Sequence, residues 1–252
     1  MKFYFSGIKS RQEVEWLKEA GISRVLVDPV DFPNVINWPG NIALDSGAYR
    51  AFKSGKPLNL EAYQSIATSY CFDFVAAPDA IGDPVLTAEY LSIAQTWGIK
   101  NLVPVWHWGE DLKLLHQLVD RYPLVGLGGC VPWMRVDPSR SRPKADIQAD
   151  KDRREENFKQ LHTLCKAFGN QLHIFGLCWV SAIEQLAPLV QSADSSHWLV
   201  GARRGDVIFV HTRNGHLSQA HADILPFSKE WDRKTRCIEN ARAIAQFLQQ
   251  AS

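Results

Sequence analysis

Nowhere in the chain do about 18 uncharged apolar residues run together, so no membrane-spanning helix is expected. Charges already stand within MKFYFSGIKSRQEVEW, too early for a secretory apolar segment, and the expected location is the cytoplasm. A CxxC pair is also missing. Cys71, Cys130, Cys165, Cys178 and Cys237 are scattered, which points to neither a zinc ribbon nor a disulfide framework and leaves buried packing as the reading for these thiols. Net charge is nearly absent, at +1, so the chain as a whole has no pull on polyanions, although a local basic face is compatible with that average. There is no internal repeat or low-complexity tract.

What is present is ordinary for a globular protein: 252 residues, 46% hydrophobic and 22% charged, enough for one large core. Length alone allows one domain or two of roughly 100 to 150 residues, so the order of elements has to decide. Short apolar runs at 3–5, 25–27, 42–44, 74–77, 102–105, 124–127, 173–175 and 196–200 read as buried parallel strands, which are continuously hydrophobic. Helical stretches separate most of them. Ser10 with Glu13 and Ser181 with Glu184 have capping-box spacing, and Asp83 precedes Pro84 as a cap precedes a first-turn proline. Gly21, Gly98 and Gly169 stand where helices should stop. Eight strand-then-helix units in this length predict a single-domain (β/α)8 TIM barrel over residues 1–252, with a doubly wound open sheet as the alternative.

Two stretches exceed the minimal barrel. Residues 131–150, rich in Pro and Arg and without period, read as a long loop after the sixth strand. Residues 203–228, after the eighth, contain VIFVHTRNGHLSQ, whose Asn214-Gly215 favours a tight hairpin turn.

In barrel enzymes the chemistry lies at the carboxyl face, on residues that end strands and open loops. Those positions hold Asp45 after strand three, Asp79 after four, His107 after five, Gly128 and Gly129 after six, and Gly176 after seven; Asp194 falls at the start of or within the eighth segment. Carboxylates gathered at one apolar mouth raise one another's proton affinity, a usual arrangement for separating an acid or base from a nucleophile. Each residue also has a plainer reading. A strand-end Asp is often a turn or helix cap, His107 between Trp106 and Trp108 suits a core as well as a pocket, and paired glycines often mark close packing.

At these residues the chain resembles the tRNA-guanine transglycosylases and their relatives that insert 7-deazaguanines into DNA. Asp45-Ser46-Gly47-Ala48-Tyr49 is similar to the family's DSGG-aromatic motif. Asp79 falls at the position of its base-reading acid, Gly128-Gly129 resembles its glycine pair, and Phe175-Gly176 looks like the segment that closes over the base. Asp194, ahead of Ala202-Arg203-Arg204 and a hairpin over 207–217, occupies a place similar to the nucleophilic aspartate. The likeness spans residues 45–217, as short motifs in matching order. One feature departs from it: the tRNA enzymes carry a three-cysteine, one-histidine zinc site near the carboxyl end, where this chain has only Cys237. The zinc-free layout is more similar to the DNA-acting branch, so DNA is favoured as partner and tRNA stays open.

The resemblance implies a base exchange without metal or organic cofactor. Asp194 would attack the anomeric carbon and Asp45 would carry protons to and from the bases, the two-carboxylate logic of retaining glycosidases. Asp79 would accept from a guanine edge, backbone N–H groups near Gly128 and Gly129 would face its carbonyl, Tyr49 would stack on it, and Ser46, His107 and Gly176 would complete the base pocket. A paired nucleotide would have to flip out of its stack. For phosphates the chain offers Arg135, Arg140, Arg142 and Lys144 in the first long loop and Arg203, Arg204 and Arg213 in the second, against the reading of a solvated surface. The alternatives are a non-catalytic nucleic-acid-binding or partner barrel, and a nucleoside or glycoside hydrolase of the same fold.

Overall fold

The structure, a computed structural model, describes residues 1–130 and 143–250. Nine parallel strands form one sheet: β1 (Lys2–Phe5), β2 (Arg24–Val27), β3 (Asn41–Leu44), β4 (Val75–Ala76), β5 (Leu102–Val103), β6 (Val105–His107), β7 (Val125–Gly128), β8 (Leu172–Ile174) and β9 (Ser192–Ser195). Their order is β5-β4-β3-β2-β1-β9-β8-β7-β6. The two edge strands are therefore consecutive in the chain, separated only by Pro104. Proline has no N–H to give a ladder, which interrupts the expected single strand 102–105. Its carbonyl still accepts from Gly126 N–H at 2.8 Å, while Val103 O accepts from Ala77 N–H at 2.7 Å. The result is a nearly closed, barrel-like parallel sheet.

Strand alternation sorts the side chains into two layers. Tyr4, Leu26, Ala43, Phe74 and Val103 pack together on the inner side with Leu124 and Phe175. Their sequence neighbours Phe3, Phe5, Val25, Val27, Leu44, Val75 and Leu102 join the outer core beneath the helices.

The helices are α1 (Arg11–Glu19), α2 (Ala48–Ser54), α3 (Leu60–Ser69), α4 (Pro84–Gln95), α5 (Leu112–Arg121), α6 (Lys144–Phe168), α7 (Val180–Leu186), α8 (His197–Arg203) and α9 (Arg233–Gln250). In α5 the apolar face is Leu115, Leu118 and Val119, the i, i+3, i+4 stripe that a helix must bury. Ser10 caps α1, accepting from Glu13 N–H at 3.3 Å, and Glu13 reaches back to Lys9 N–H at 2.8 Å. Asp83 caps α4 through Leu86 N–H at 2.9 Å. Ser181 does not cap: α7 begins at Val180 after Trp179. Gly169 follows α6 with its Cα against the Leu189 carbonyl, where an added Cβ would lie 1.9 Å from the oxygen.

Three further expectations are corrected. The eighth strand lies at Ser192–Ser195, and residues 196–200 open α8 instead. Trp198, Leu199 and Ala202 are the buried face of that helix, since a short apolar run has no period of its own to separate strand from helix. The loop expected over 131–150 is helical from Lys144 onward. Of the cysteines, Cys130, Cys165 and Cys237 are buried, Cys178 is intermediate and Cys71 is exposed.

Beyond the sheet, β10 (Asp206–Val210) and β11 (Leu217–His221) form an antiparallel hairpin whose turn, 211–216, includes Asn214 and Gly215. Asn240, fully buried on α9, accepts from Ile208 N–H at 2.6 Å and donates to the carbonyls of Trp198 and Asp206 at 3.2 Å each, which ties α9 to the hairpin and to α8. Among the described residues no helix is long and apolar enough to cross a membrane.

Candidate active site

The carboxyl ends of the strands carry the polar side chains. Asp45 directly follows β3, with its N–H on Val27 O at 2.8 Å. Ser46 is buried and double-acting: its hydroxyl accepts from Ala48 N–H at 3.1 Å, at the start of α2, and donates to Asp79 Oδ1 at 2.5 Å. Gly47, at φ +80, makes the turn between them in the left-handed region where a side chain is disfavoured.

Asp79 is buried, and its other oxygen, Oδ2, meets His107 Nε2 at 2.8 Å. His107 closes β6, and its Nδ1 lies 3.3 Å from Glu110 Oε1, while its backbone N–H donates to Glu110 Oε2 at 3.1 Å. Burial pushes the imidazole down, but hydrogen bonds to Asp79 and Glu110 and their charges outweigh it and raise His107 to about 9. At neutral pH it is an imidazolium clamped between two carboxylates.

Asp45 lies in the field of this group. Burial first, then the charges of Asp79, Asp194 and Asp28, hold its carboxyl well above the ordinary carboxylate range. Burial and the charges of Asp45 and Asp79 likewise raise Tyr63, whose hydroxyl donates to Ala76 O at 2.6 Å. Asp79 thus acts on both Asp45 and Tyr63, while Asp194 and Asp28 act on Asp45.

Asp194 stands on β9 in register with Tyr4 and is buried. Its Oδ1 accepts from Gly176 N–H at 2.8 Å. Gly128 and Gly129 sit against His107: a Cβ on Gly128 would lie 3.1 Å from both His107 Cδ2 and Val105 Cγ1, and Gly129 turns at φ +73. Gly128 O accepts from Trp108 N–H at 2.9 Å.

Eight of the expected residues therefore gather at the strand ends: Asp45, Ser46, Asp79, His107, Gly128, Gly129, Gly176 and Asp194. The other described ones lie elsewhere. Tyr49 is exposed on α2, with Lys53 Nζ 5.0 Å from its ring centre. Arg203 pairs with the buried Glu13 at 3.2 Å, a carboxylate that Arg233 shares at the same distance. Arg204 and Arg213 are exposed, at the end of α8 and in the hairpin turn. Arg135, Arg140 and Arg142 lie outside the described residues.

Three residues of the cluster escaped the sequence reading. Asp28, directly after the run 25–27, obeys the same strand-end rule as Asp45; it accepts from Asp31 N–H at 2.9 Å and from Arg50 Nε at 2.7 Å. Glu110 stands three residues after His107, near enough to have been paired with it. His173 sits within an apolar run on β8, and nothing in the sequence marks it. Among the described residues no three His, Cys, Asp or Glu side chains are grouped so as to hold a metal ion. No model of a known protein family matches the chain, and no curated protein matches it either.

Proposed function

We propose that the chain is a (β/α)8-barrel transglycosylase that exchanges guanine for a 7-deazaguanine base in nucleic acid, with DNA favoured over tRNA. In this reading β5, Pro104 and β6 count as one strand, which makes eight and closes the barrel. The observation that carries the function is that Asp45 after β3, Asp79 after β4 and Asp194 on β9 share one site, where burial and then the charges of the other two raise Asp45.

The raised carboxyl is the acid and Asp194 the nucleophile. Asp194 attacks C1′ of the nucleotide, the C1′–N9 bond breaks, and its electron pair leaves with guanine while Asp45 gives that base a proton. The glycosyl ester then meets the incoming 7-deazaguanine. Asp45 takes the N9 proton, N9 attacks C1′, and the ester oxygen departs as the Asp194 carboxylate. Ser46 and His107 each occupy one lone pair of an Asp79 oxygen; the remaining lone pairs can accept the N1 and exocyclic amino protons of a guanine edge. No metal or organic cofactor takes part in this scheme, and the nucleotide must leave its stack to reach it.

The test is covalent trapping. Guanine-containing DNA and, separately, tRNA are incubated with the protein and run on a denaturing gel, alongside exchange of labelled guanine. A trapped complex with one polymer is expected, and Asp194→Asn should abolish both trapping and exchange while keeping the fold and the affinity for free base. Exchange by Asp194→Asn at the wild-type rate would remove the nucleophile. Cleavage without exchange would move the reading to a hydrolase, and no reaction on either polymer to a non-catalytic barrel.

A further inference from the structure

His173 lies beneath the acidic mouth with no exposed surface. Its ring stands in an aromatic box, 4.4 Å from Phe175, 4.7 Å from Phe74 and 6.0 Å from Tyr4 between ring centres. Nδ1 is 2.9 Å from the buried Ser192 hydroxyl. Nε2 is buried with no hydrogen-bond partner, and Asp194 Oδ1 lies 3.6 Å from it.

That distance exceeds a hydrogen bond, but catalytic contacts are often long in a free enzyme and tighten with substrate. The proton can be placed by elimination. A lone pair on Nε2 would face the carboxylate oxygen and repel it, whereas an N–H there is attracted. The Ser192 hydroxyl can rotate to donate to Nδ1. Oδ1 is then addressed from two sides, by Gly176 N–H and by His173 Nε2–H, and Oδ2 takes no hydrogen bond from the described residues.

We infer that His173 is the positioning residue of Asp194: its Nε2–H and the Gly176 N–H fix Oδ1, which leaves Oδ2 as the oxygen that attacks C1′. The inference rests on the transglycosylase reading given above. Two donors on one oxygen hold the carboxylate plane. They also stabilise the charge that returns to Asp194 when the ester breaks.

The test compares wild type, His173→Phe and His173→Gln. The first keeps an aromatic ring and removes the N–H, and the second restores an N–H at similar reach. Rates of covalent trapping are measured across pH on whichever polymer the wild type uses, together with affinity for free 7-deazaguanine. His173→Phe should trap about tenfold to a hundredfold more slowly, the range set by one hydrogen bond to a charged group. Base affinity should stay within about twofold. His173→Gln should recover most of the rate. A wild-type rate in His173→Phe, or equal loss in both variants, would overturn the assignment.

A second readout depends on neither activity nor a folded variant of His173. The 15N chemical shifts of His173 in the wild type should report protonation at Nε2, with a change on Asp194→Asn. A neutral ring protonated at Nδ1 overturns the proposal. If the wild type traps neither polymer while the shifts show Nε2–H responding to Asp194, the base-exchange reading falls and the His173–Asp194 pairing stands.

Discussion

Asp79, His107 and Glu110 make a pH-dependent contribution to stability whose size can be worked from the site. His107 rises from 6.5 to about 9 despite burial, through hydrogen bonds to Asp79 and Glu110 and their charges. At about 1.4 kcal/mol for each unit, that difference corresponds to about 3 kcal/mol of folding stability. Its side chain is only 6% exposed, so solvent screening takes little away. The folded-state value lies above the unfolded one, so the contribution is complete below about pH 6.5 and is lost as pH rises through about 9. Urea unfolding of wild type and His107→Gln at several values from pH 6 to 10 reads this directly, because glutamine keeps a donor towards Asp79 but does not titrate. The wild type should lose about 3 kcal/mol relative to the variant over that range. In Asp79→Asn, which lacks the first of the two partners, the loss should be smaller and come at lower pH. Parallel pH profiles for wild type and His107→Gln would refute the argument, and with it the imidazolium clamp.

Three other perturbations follow from particular contacts. Asp45→Asn should be more stable than wild type to urea at pH 7 and show no gain at pH 3, because a raised carboxyl opposes folding only above its unfolded value; base exchange should fall about 100- to 10,000-fold, as for loss of a general acid. Gly126→Ala would set a Cβ 2.4 Å from Phe175 Cε2, and a loss of about 1–3 kcal/mol by chemical denaturation is expected; no loss would mean that the ring yields freely. Asn240→Leu removes an acceptor and a donor that serve three backbone groups, which should cost about 2–4 kcal/mol, and an unchanged urea midpoint would show that α9 is not held there.

The parts of the fold legible in the sequence were those whose burial is apolar. Val25–Val27, Ile42–Leu44 and Val125–Leu127 are buried on one or both sides of the sheet and announce themselves as hydrophobic runs. β9 does the opposite: Ser192, Ala193, Asp194 and Ser195 are all buried, yet only the alanine is apolar. Ser192 and Asp194 face the polar interior with His173, and Ser195 bonds to Leu177 O. The neighbouring Trp-Leu-Val run places the expected strand at 196–200, just past the observed Ser192–Ser195. Asp45, Asp79 and His107 were legible because each follows an apolar run directly or within three residues. Their partners Glu110 and Asp28 obey equally local rules. The role of Gly128, leaving room for His107 and Val105, depends on two strands meeting in register and cannot be read from one stretch of chain.

The polar strand and the acidic mouth have one physical cause. A parallel sheet buried on both faces gains most from Val, Ile and Leu throughout, and the inner side of β1 to β5 follows that rule with Tyr4, Leu26, Ala43, Phe74 and Val103. On β8 and β9 the inner side holds His173, Ser192 and Asp194, and at the strand ends Asp28, Asp45 and Asp79 crowd enough for three of these four acids to lift the proton affinity of Asp45. Packing does not require that crowding, and like charges in a poorly solvated site work against the folded state. Substitutions at Asp45 should therefore separate the two demands, with stability rising as exchange falls, whereas a core alanine such as Ala43 carries no such opposition. A gain in stability at Asp45 without any change in a measured activity would place the acids in structure alone.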